Sequence, residues 1–140
     1  MTTHAGGSTV GNATIPGKIT TKLINCEVTS FVIGGNYATG TSGSSTHWHS
    51  EVYGDVNLVL DETTVTANGV YGGGFDTNSD RQYMNIKGNV NMLIRNSDIT
   101  GPIIGNGWQS NGTYDSIDGD FNLKLEGTDV GRGGKGLEIS

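Results

Sequence analysis

One pattern of glycine and alternating apolar residues occurs four times in this chain and constrains the fold more than any other feature. Each copy reads apolar-x-Gly-x-apolar-x-apolar-x-apolar, and only Thr21 departs from it. The four glycines, Gly17, Gly54, Gly88 and Gly119, are separated by 37, 34 and 31 residues. A repeat of this length predicts a solenoid, in which each copy forms one coil and buries its apolar face against the neighbouring coils.

Within each copy the apolar residues recur at every second position, which is the period of a half-buried strand. In the second copy this predicts strands over residues 56–60, 63–66 and 69–71, followed by a glycine-rich corner at residues 72–74. We expect positive φ angles at this corner, because glycine adopts them without a steric penalty. After the corner each copy continues through a polar loop before the strand pattern returns.

Equivalent positions of successive copies should lie directly above one another, about 4.8 Å apart, in parallel sheets. One outward column predicts a ladder of side-chain hydrogen bonds, and its members are Thr20, Asn57, Asn91 and Asn122. A column of small residues predicts a tight inward bend, and its members are Cys26, Thr63, Ser97 and Thr128. The predicted fold is therefore an all-β parallel β-solenoid of about four coils, which forms a single domain over residues 1–140.

The composition excludes several classes of partner. The chain has eight Lys and Arg residues against fourteen Asp and Glu, a net charge of −6, and its basic residues form no cluster. We therefore expect no binding to nucleic acid, whose phosphates require a basic surface. No apolar run approaches the roughly 18 residues that span a membrane, so no membrane insertion is expected. The single cysteine, Cys26, cannot form an internal disulfide, and no motif predicts a cofactor.

Two stretches of the repeat resemble a known class of sequences. The units GDVNLVLDETTVTANGVYGGGF and GNVNMLIRNSDITGPIIGNGW are similar to the Gly-rich parallel β-helix repeats of microbial surface and extracellular proteins, which have corners of the VYGGG type. The resemblance covers nearly all of residues 15–139. It implies a right-handed winding and an extracellular or cell-surface location. It implies no particular chemistry, because such repeats occur in proteins of different function.

The loops that follow the glycine corners, residues 37–51, 76–85 and 109–116, are predicted to leave the coils at one angular position and to form one ridge. The aromatic residues in or beside these loops are candidate ligand-binding residues: Trp48, Phe75, Tyr83, Trp108 and Tyr114. Flat aromatic rings beside carboxylates are typical of glycan-binding surfaces. They are equally typical of loops that cover a coil edge and of residues that anchor a subunit interface.

Two histidines in the first of these loops are candidate metal ligands. His47 and His49 are two positions apart, which places both imidazoles on the same side of an extended segment. Two ligands alone do not hold a metal, and an exposed polar loop anchored by Trp48 explains the same residues. No metal is therefore assigned.

Adjacent carboxylates are the nearest approach to a catalytic site. Two carboxylates at a suitable separation can perform glycoside chemistry, and such pairs occur at Asp61-Glu62 and at Asp118 and Asp120 on either side of Gly119. Both pairs also fit turns, where Asp is favoured. The chain contains no GxSxG, Walker or CxxC motif. We therefore predict no enzyme activity.

The two ends of the sequence resemble neighbouring parts of the repeat. Residues 136–139 are similar to the third strand of a copy, and residues 4–7 are similar to the corner that follows it. The ends are therefore expected at the same angular position, four coils apart. The sequence shows no amphipathic helix or other cap, so both terminal coils are expected to expose apolar cross-sections with unpaired strand edges.

These open ends predict self-assembly. If the last coil of one copy pairs with the first coil of another, the contact does not close and propagates as a fibre. The predicted function is a structural subunit of an extracellular filament, formed head to tail from copies of the chain. Candidate interface residues are Ile15, Leu137 and Ile139 at the ends, with Val59 and Leu93 as outward-facing lateral contacts.

Two other interpretations stay open. The same fold could be a carbohydrate- or surface-binding adhesin module that uses the stacked aromatic loops, with a glycan or a cell surface as its partner. It could also be a fragment of a longer adhesin, whose ends match only because the repeats are in tandem. In addition, residues 2–14 could exchange with a neighbouring subunit as a donated strand.

Overall fold

Every regular element in the described part of the chain is a β-strand. The computed structural model describes residues 3–4, 8–9, 13–35, 37–38, 48–76, 82–107, 114–131 and 137–138, and the side-chain surroundings of residues 14–35, 49–74, 84–107 and 116–131. These residues form twenty strands. No helix among them is long and apolar enough to cross a membrane.

The strands group into an N-terminal segment and four coils. The N-terminal segment contains β1 (Thr3–His4), β2 (Ser8–Thr9) and β3 (Ala13–Ile15). Coil 1 contains β4 (Ile19–Ile24), β5 (Glu27–Val28), β6 (Val32–Ile33), β7 (Tyr37–Ala38) and β8 (Trp48–Val52). Coil 2 contains β9 (Val56–Asp61), β10 (Thr64–Val65), β11 (Val70–Tyr71), β12 (Phe75–Asp76) and β13 (Gln82–Ile86). Coil 3 contains β14 (Val90–Arg95), β15 (Asp98–Ile99), β16 (Ile103–Ile104) and β17 (Tyr114–Ile117), and coil 4 contains β18 (Phe121–Glu126), β19 (Asp129–Val130) and β20 (Leu137–Glu138).

Equivalent strands of the coils pair in parallel and build five sheets that run along the solenoid. Sheet 1 contains β4, β9, β14 and β18, and sheet 2 contains β5, β10, β15 and β19. Sheet 3 contains β1, β6, β11, β16 and β20, sheet 4 contains β2, β7 and β12, and sheet 5 contains β3, β8, β13 and β17. The chain passes from sheet 1 to sheet 5 in this order and then begins the next coil, which is the path of a β-solenoid.

The register of the sheets reproduces the alignment of the sequence repeat. In sheet 1, Ile19 lies beside Val56, Val56 beside Val90, and Val90 beside Phe121. Each of these residues follows its repeat glycine by two positions, so positions that match in the sequence also stack in space. The predicted all-β parallel β-solenoid of about four coils is therefore confirmed. Its handedness does not follow from the strand pairing and stays a prediction.

Sheet 5 lies in segments that the sequence predicts as polar loops. β8 and β13 each end in a buried apolar residue, Val52 or Ile86. The loop prediction was wrong here because the alternation is short and interrupted. The buried position two residues earlier is the polar Ser50 in β8 and Met84 in β13, so the strand period is not visible in the sequence.

The inward columns fill the interior of the two middle coils. In sheet 1, Leu58 and Met92 are 0% and 2% exposed, and Leu60 and Ile94 in the next column are fully buried. In sheet 2 the buried column consists of Val28, Val65 and Ile99. Removing a buried leucine from a core of this kind costs about 2–5 kcal/mol. The stacked apolar columns are therefore a principal source of stability.

The bend between sheets 1 and 2 holds one residue of every coil in the left-handed conformation. The φ angles are +53° at Asn25, +49° at Glu62, +50° at Asn96 and +51° at Gly127. Asparagine and glycine tolerate this region, whereas a residue such as glutamate adopts it at a cost of about 1–2 kcal/mol. The bend therefore keeps one shape through four coils, even where the side chain does not favour it.

The glycine-rich corners are required by close packing and not by positive φ. None of Gly34, Gly72 and Gly105 has φ in the left-handed region. A Cβ on Gly72 would lie 2.4 Å from the carbonyl oxygen of Gly105, and a Cβ on Gly34 would lie 2.8 Å from that of Gly72. The expectation of positive φ at the corner was wrong, because the constraint there is the short distance between the backbones of successive coils.

The outward asparagine column is hydrogen-bonded from coil to coil, as predicted. Nδ2 of Asn91 donates to Oδ1 of Asn57, and Nδ2 of Asn122 donates to Oδ1 of Asn91, both at 2.9 Å. Nδ2 of Asn57 meets the backbone oxygen of Ile19 at 3.5 Å, because Thr20 replaces asparagine in coil 1. The ladder thus ties coils 2, 3 and 4 together on the outer surface of sheet 1.

The column of small residues at the bend is also bonded within and between coils. Oγ1 of Thr63 lies 3.0 Å from the backbone oxygen of Asp61 and 3.1 Å from that of Leu23. The backbone N–H of Thr63 donates to Oγ of Ser97 at 3.1 Å. The hydroxyl groups of this column are therefore satisfied although Thr63 is fully buried.

Thr21 breaks the apolar pattern of sheet 1, and its Oγ1 is buried without a hydrogen-bond partner among the described residues. A buried hydroxyl without a partner costs about 1–3 kcal/mol. We predict that Thr21→Val raises the free energy of unfolding by about 1 kcal/mol in urea denaturation. The matched change Thr63→Val removes a bonded hydroxyl and should lower it by about 1 kcal/mol. If Thr21→Val also destabilises the protein, the hydroxyl of Thr21 has a partner and the interpretation is wrong.

Candidate interaction surfaces

Coil 4 forms one end of the core columns, and among the described residues no further strand covers β18 or β19. We define the tail face as the outward edge of this coil over residues 119–130. Leu125 on the tail face is 38% exposed, whereas Leu60 and Ile94 in the same column are fully buried. Three further apolar residues of the tail face are only partly buried: Phe121, Leu123 and Val130. In coils 2 and 3 the equivalent side chains contact the coil that follows. Those of the tail face are therefore available to a further coil.

The head face, which we define as the outward edge of coil 1 over residues 17–28, is the opposite end of the same columns. Its strands β4 and β5 pair on one side only, with β9 and β10. The tail-face strands β18 and β19 likewise pair only with β14 and β15. Within the described part of the chain all four are edge strands, and the peptide groups of an edge strand are available to another strand.

The repeat glycines contact the preceding coil, except at the head face. A Cβ on Gly54 would lie 2.5 Å from the backbone nitrogen of Lys18. A Cβ on Gly88 would lie 2.6 Å from the carbonyl carbon of Gly54, and a Cβ on Gly119 would lie 2.6 Å from the carbonyl oxygen of Gly88. A Cβ on Gly17 would meet no described atom within 4 Å. Packing thus requires glycine at three of the four positions, and it would require glycine at Gly17 only if a coil covered the head face.

The head and tail faces carry formal charges of opposite sign. The head face has two lysines and one glutamate, a net charge of +1. The tail face has three carboxylates and one lysine, a net charge of −2. Within the chain, Nε of Arg95 in β14 lies 2.9 Å from Oδ2 of Asp61 in β9. Nζ of Lys87, directly after β13, lies 3.4 Å from Oδ2 of Asp118, directly after β17. Both ion pairs therefore join residues of successive turns of the solenoid.

The column directly after the repeat glycines bonds successive coils through its side chains. Its members are Lys18, Asp55, Asn89 and Asp120. The backbone N–H of Asn89 donates to Oδ1 of Asp55, and that of Asp120 donates to Oδ1 of Asn89, both at 2.8 Å. Sequence reasoning missed this column. The signal was that every member except Lys18 has a side-chain oxygen that can accept a hydrogen bond.

Asp118, in the turn between β17 and β18, contacts side chains of the preceding turn of the solenoid. Its Oδ1 accepts a hydrogen bond from Nδ2 of Asn85 at 3.1 Å, and Lys87 lies beside Oδ2. The hydrogen bond from Asn85, followed by the hydrogen bond and charge of Lys87, lowers the pKa of Asp118 below its usual value, while desolvation acts in the opposite direction. The Asp118 carboxylate, directly after β17 of coil 3, is thus engaged by two residues at the end of coil 2.

The lowered pKa sets the sign of a pH effect. Because the pKa of Asp118 is lower in the folded protein than in the unfolded chain, its contacts stabilise the fold above a pH of about 4, and this contribution is lost as the pH falls through the folded pKa. We predict that Asn85→Ala moves the pKa of Asp118 up toward its usual value in an NMR titration. Asn91→Ala, which removes an amide of the outer ladder, should leave it unchanged. An unaltered Asp118 pKa in Asn85→Ala would contradict this assignment.

The two predicted lateral contacts lie together on the outer surface of sheet 1. Val59 and Leu93 are register partners, and both are half-buried. They contribute to an open groove of about 470 Å³, whose other lining residues include Asn57, Asn91, Asn122 and Lys124. The groove therefore combines the amides of the ladder with two aliphatic side chains.

The predicted interface residues at the ends are less fully described. Ile15 lies at the end of β3, is partly buried and packs against the core. Leu137 lies in β20 opposite Ile103, and Ile139 lies outside the described residues. β1 and β20 form the two edges of sheet 3. The two ends of the sequence therefore lie at the same angular position, as predicted.

Three of the candidate aromatic residues belong to sheet 5. Trp48 lies in β8, Tyr83 in β13 and Tyr114 in β17. Tyr83 is the register partner of Tyr114 on one side and of His49 on the other. The structure therefore brings Tyr83 and Tyr114 to adjacent positions of one column.

The other candidates are elsewhere. Phe75 lies in β12 of sheet 4, and Trp108 and His47 lie outside the described residues. The predicted pair of histidine ligands can therefore not be placed, and His49 alone is seen to be exposed. In the described ranges no three His, Cys, Asp or Glu side chains are grouped to hold a metal ion.

Comparison of the chain with family models, curated proteins and solved structures finds no match. The geometry of the head face, the tail face and the outer surfaces of the sheets is therefore the basis for assigning a function.

Proposed function

We propose that the protein is a structural subunit that assembles head to tail into an extracellular or cell-surface filament. In this assembly the tail face of one copy pairs with the head face of the next, in the register that the coils use within one chain. The observation that carries the proposal is the open space at Gly17, where the other three repeat glycines contact a preceding coil. The surface location rests on the resemblance of the repeats to those of microbial surface proteins.

The local backbone does not require glycine at position 17. Its φ angle is outside the left-handed region, and no described atom lies within 4 Å of its ideal Cβ position. If a coil covers the head face in the common register, Gly17 gains the backbone contact that Gly54, Gly88 and Gly119 already have. A requirement for assembly therefore accounts for a glycine that the isolated chain does not need.

A second copy of the chain is the covering partner that fits the head face best. The head and tail faces are two halves of a contact that the chain already makes between coils 1 and 2, 2 and 3, and 3 and 4. Pairing them covers Leu125, whose counterparts Leu60 and Ile94 are fully buried. Such a contact joins unlike surfaces and does not close, so it extends as a fibre.

Sheet 3 adds a condition to this stacking. If β4 of the incoming copy pairs with β18, then β1 of that copy reaches the position that β20 holds beside β16. One of the two strands must leave this position. We propose that β1 of the incoming copy replaces β20. The N-terminal segment that contains β1 also contributes β2 to sheet 4 and β3 to sheet 5, so it is anchored in three sheets. Among the described residues after β19, only β20 pairs with another strand. This replacement realises the predicted exchange of residues 2–14.

Substitution of Gly17 tests the proposal. We predict that the purified chain forms fibres about one solenoid wide in electron microscopy. Gly17→Ala should leave the thermal unfolding of the monomer unchanged and raise the critical concentration for fibre formation at least about tenfold, because its Cβ would occupy the space of the neighbouring backbone.

Gly54→Ala is the matched control, since its Cβ would lie 2.5 Å from the backbone nitrogen of Lys18 within the same chain. It should lower the melting temperature of the monomer by several degrees. Discrete monomers of the unaltered chain at high concentration would refute the filament, as would normal fibre formation by Gly17→Ala.

A second candidate function, a glycan-binding module, is favoured by the adjacent register positions of Tyr83 and Tyr114 in sheet 5. In that case a glycan array should give a signal with the unaltered protein, and Tyr83→Ala or Trp108→Ala should abolish it. A protein that forms fibres and gives no array signal would exclude this second function.

A further inference from the structure

We propose that Lys18 of one copy and Asp120 of the preceding copy form the electrostatic contact that sets the strength and polarity of the head-to-tail junction. This inference rests on the proposed function, since it concerns the same two faces. It is carried by the column Lys18, Asp55, Asn89 and Asp120, which follows the repeat glycines at the corner between sheets 5 and 1.

The hydrogen bonds between successive members of the column follow one pattern. At this position each side-chain oxygen accepts the backbone N–H of the equivalent residue in the following coil: Asp55 from Asn89, and Asn89 from Asp120, both at 2.8 Å. Asp120 is the last member of the column and Lys18 the first. Among the described residues no group pairs with the carboxylate of Asp120 or with the ammonium of Lys18, and both residues are exposed.

Head-to-tail stacking satisfies both groups at once. The backbone N–H of Lys18 reaches Oδ1 of Asp120 in the place where Asn89 donates to Asp55. The Lys18 ammonium then lies beside the same carboxylate, so the hydrogen bond is strengthened by opposite charge. Lysine cannot accept a hydrogen bond from the coil that follows it, but as the first member of the column it can donate to a preceding copy.

The net charges of the two faces point the same way. The tail face carries three carboxylates and one lysine, and the head face carries two lysines and one glutamate. Contact between two tail faces would bring together two surfaces of net negative charge, and contact between two head faces would bring together two surfaces of net positive charge. The charge distribution therefore favours head-to-tail polarity.

Two other columns of the junction bring like charges together. Lys22 would lie over Lys124, and Glu27 would lie over Asp129. Lys124 is already paired with Glu126, at 2.7 Å, and the Asp129 column holds Asp98 and Asp129 side by side within one chain. These repulsions are thus partly offset. The Lys18 column is the one where both the hydrogen bond and the charge are favourable.

Charge reversal at the two positions tests the inference. We expect Lys18→Glu and Asp120→Lys each to raise the critical concentration for fibre formation about tenfold at low salt, because each places like charges at the junction. The double variant restores the opposite charges but not the side-chain oxygen that accepts the backbone N–H of residue 18, so its critical concentration should fall below that of either single variant without reaching that of the unaltered protein. An equimolar mixture of the two single variants should also co-sediment as fibres, because each head then meets a tail of opposite charge. Melting temperatures of all variants check that the monomers fold.

Lys22→Glu is the matched control, since it makes the same charge change on the same face but in the column of Lys124. It should assemble at least as readily as the unaltered protein. If Lys22→Glu weakens assembly as much as Lys18→Glu, the effect is one of net charge or of another register, and the inference fails. It also fails if the single variants assemble normally or if the double variant, folded as a monomer, assembles no better than the single variants.

The outcomes separate this inference from the proposed function. Fibres of the unaltered chain that are indifferent to Lys18→Glu and Asp120→Lys would leave the filament standing and overturn only the charged contact. If the unaltered chain forms no fibres under any salt condition, both the filament and the contact are overturned.

Discussion

Hydrogen bonds between equivalent positions of neighbouring coils are the constraint on which the rest of this structure depends. The backbone N–H of Val56 donates to the oxygen of Asn89 at 2.8 Å, and that of Val90 donates to the oxygen of Asp120 at 2.9 Å. Buried peptide groups must be bonded, so each coil needs neighbours in one fixed register. Identical positions are thereby forced into columns. The apolar core, the asparagine ladder and the left-handed bend all follow from this stacking.

A structure built on one repeated contact has a definite weakness at its terminal coils. Among the described residues, the side chains that coils 2 and 3 bury against neighbours on both sides are covered on one side only in coil 4, where Leu125 is 38% exposed. Apolar columns alone would also permit stacking in either orientation. Charged side chains such as Lys18 and Asp120 distinguish the two faces, so in the proposed filament burial would drive the association and polar groups would select its direction.

The sequence was sufficient to predict sheet 1 and its register, because the alternation of Val56, Leu58 and Leu60 is strict and is repeated in every coil except at Thr21. It was not sufficient for sheet 5, where the buried Ser50 interrupts the pattern. The glycine corners were recognised, but the reason for them was wrong. The distance between two backbones, such as those at Gly72 and Gly105, appears only when coils are stacked in three dimensions.

The candidate surfaces were predictable to a similar extent. Open ends were expected from the repeat, and Val59 and Leu93 were correctly expected on the outer surface of sheet 1. The proposed pairing of Lys18 with Asp120 was not predictable from the sequence, because the two residues become neighbours only when the register of one chain is extended into a second copy. Contacts between two copies of a chain cannot be inferred from its sequence until the fold and the register of the coils are known.

The axial repeat of the assembled filament tests the central claim, continuous in-register stacking, most directly. It can be measured by helical reconstruction from electron cryo-microscopy. Four coils at about 4.8 Å each, with β1 of the next copy in the place of β20, predict a subunit repeat of about 19 Å. A repeat of about 24 Å would mean that both strands are retained and that sheets 1 and 2 are interrupted at the junction. That result, or a filament without strands stacked along its axis, would contradict the account.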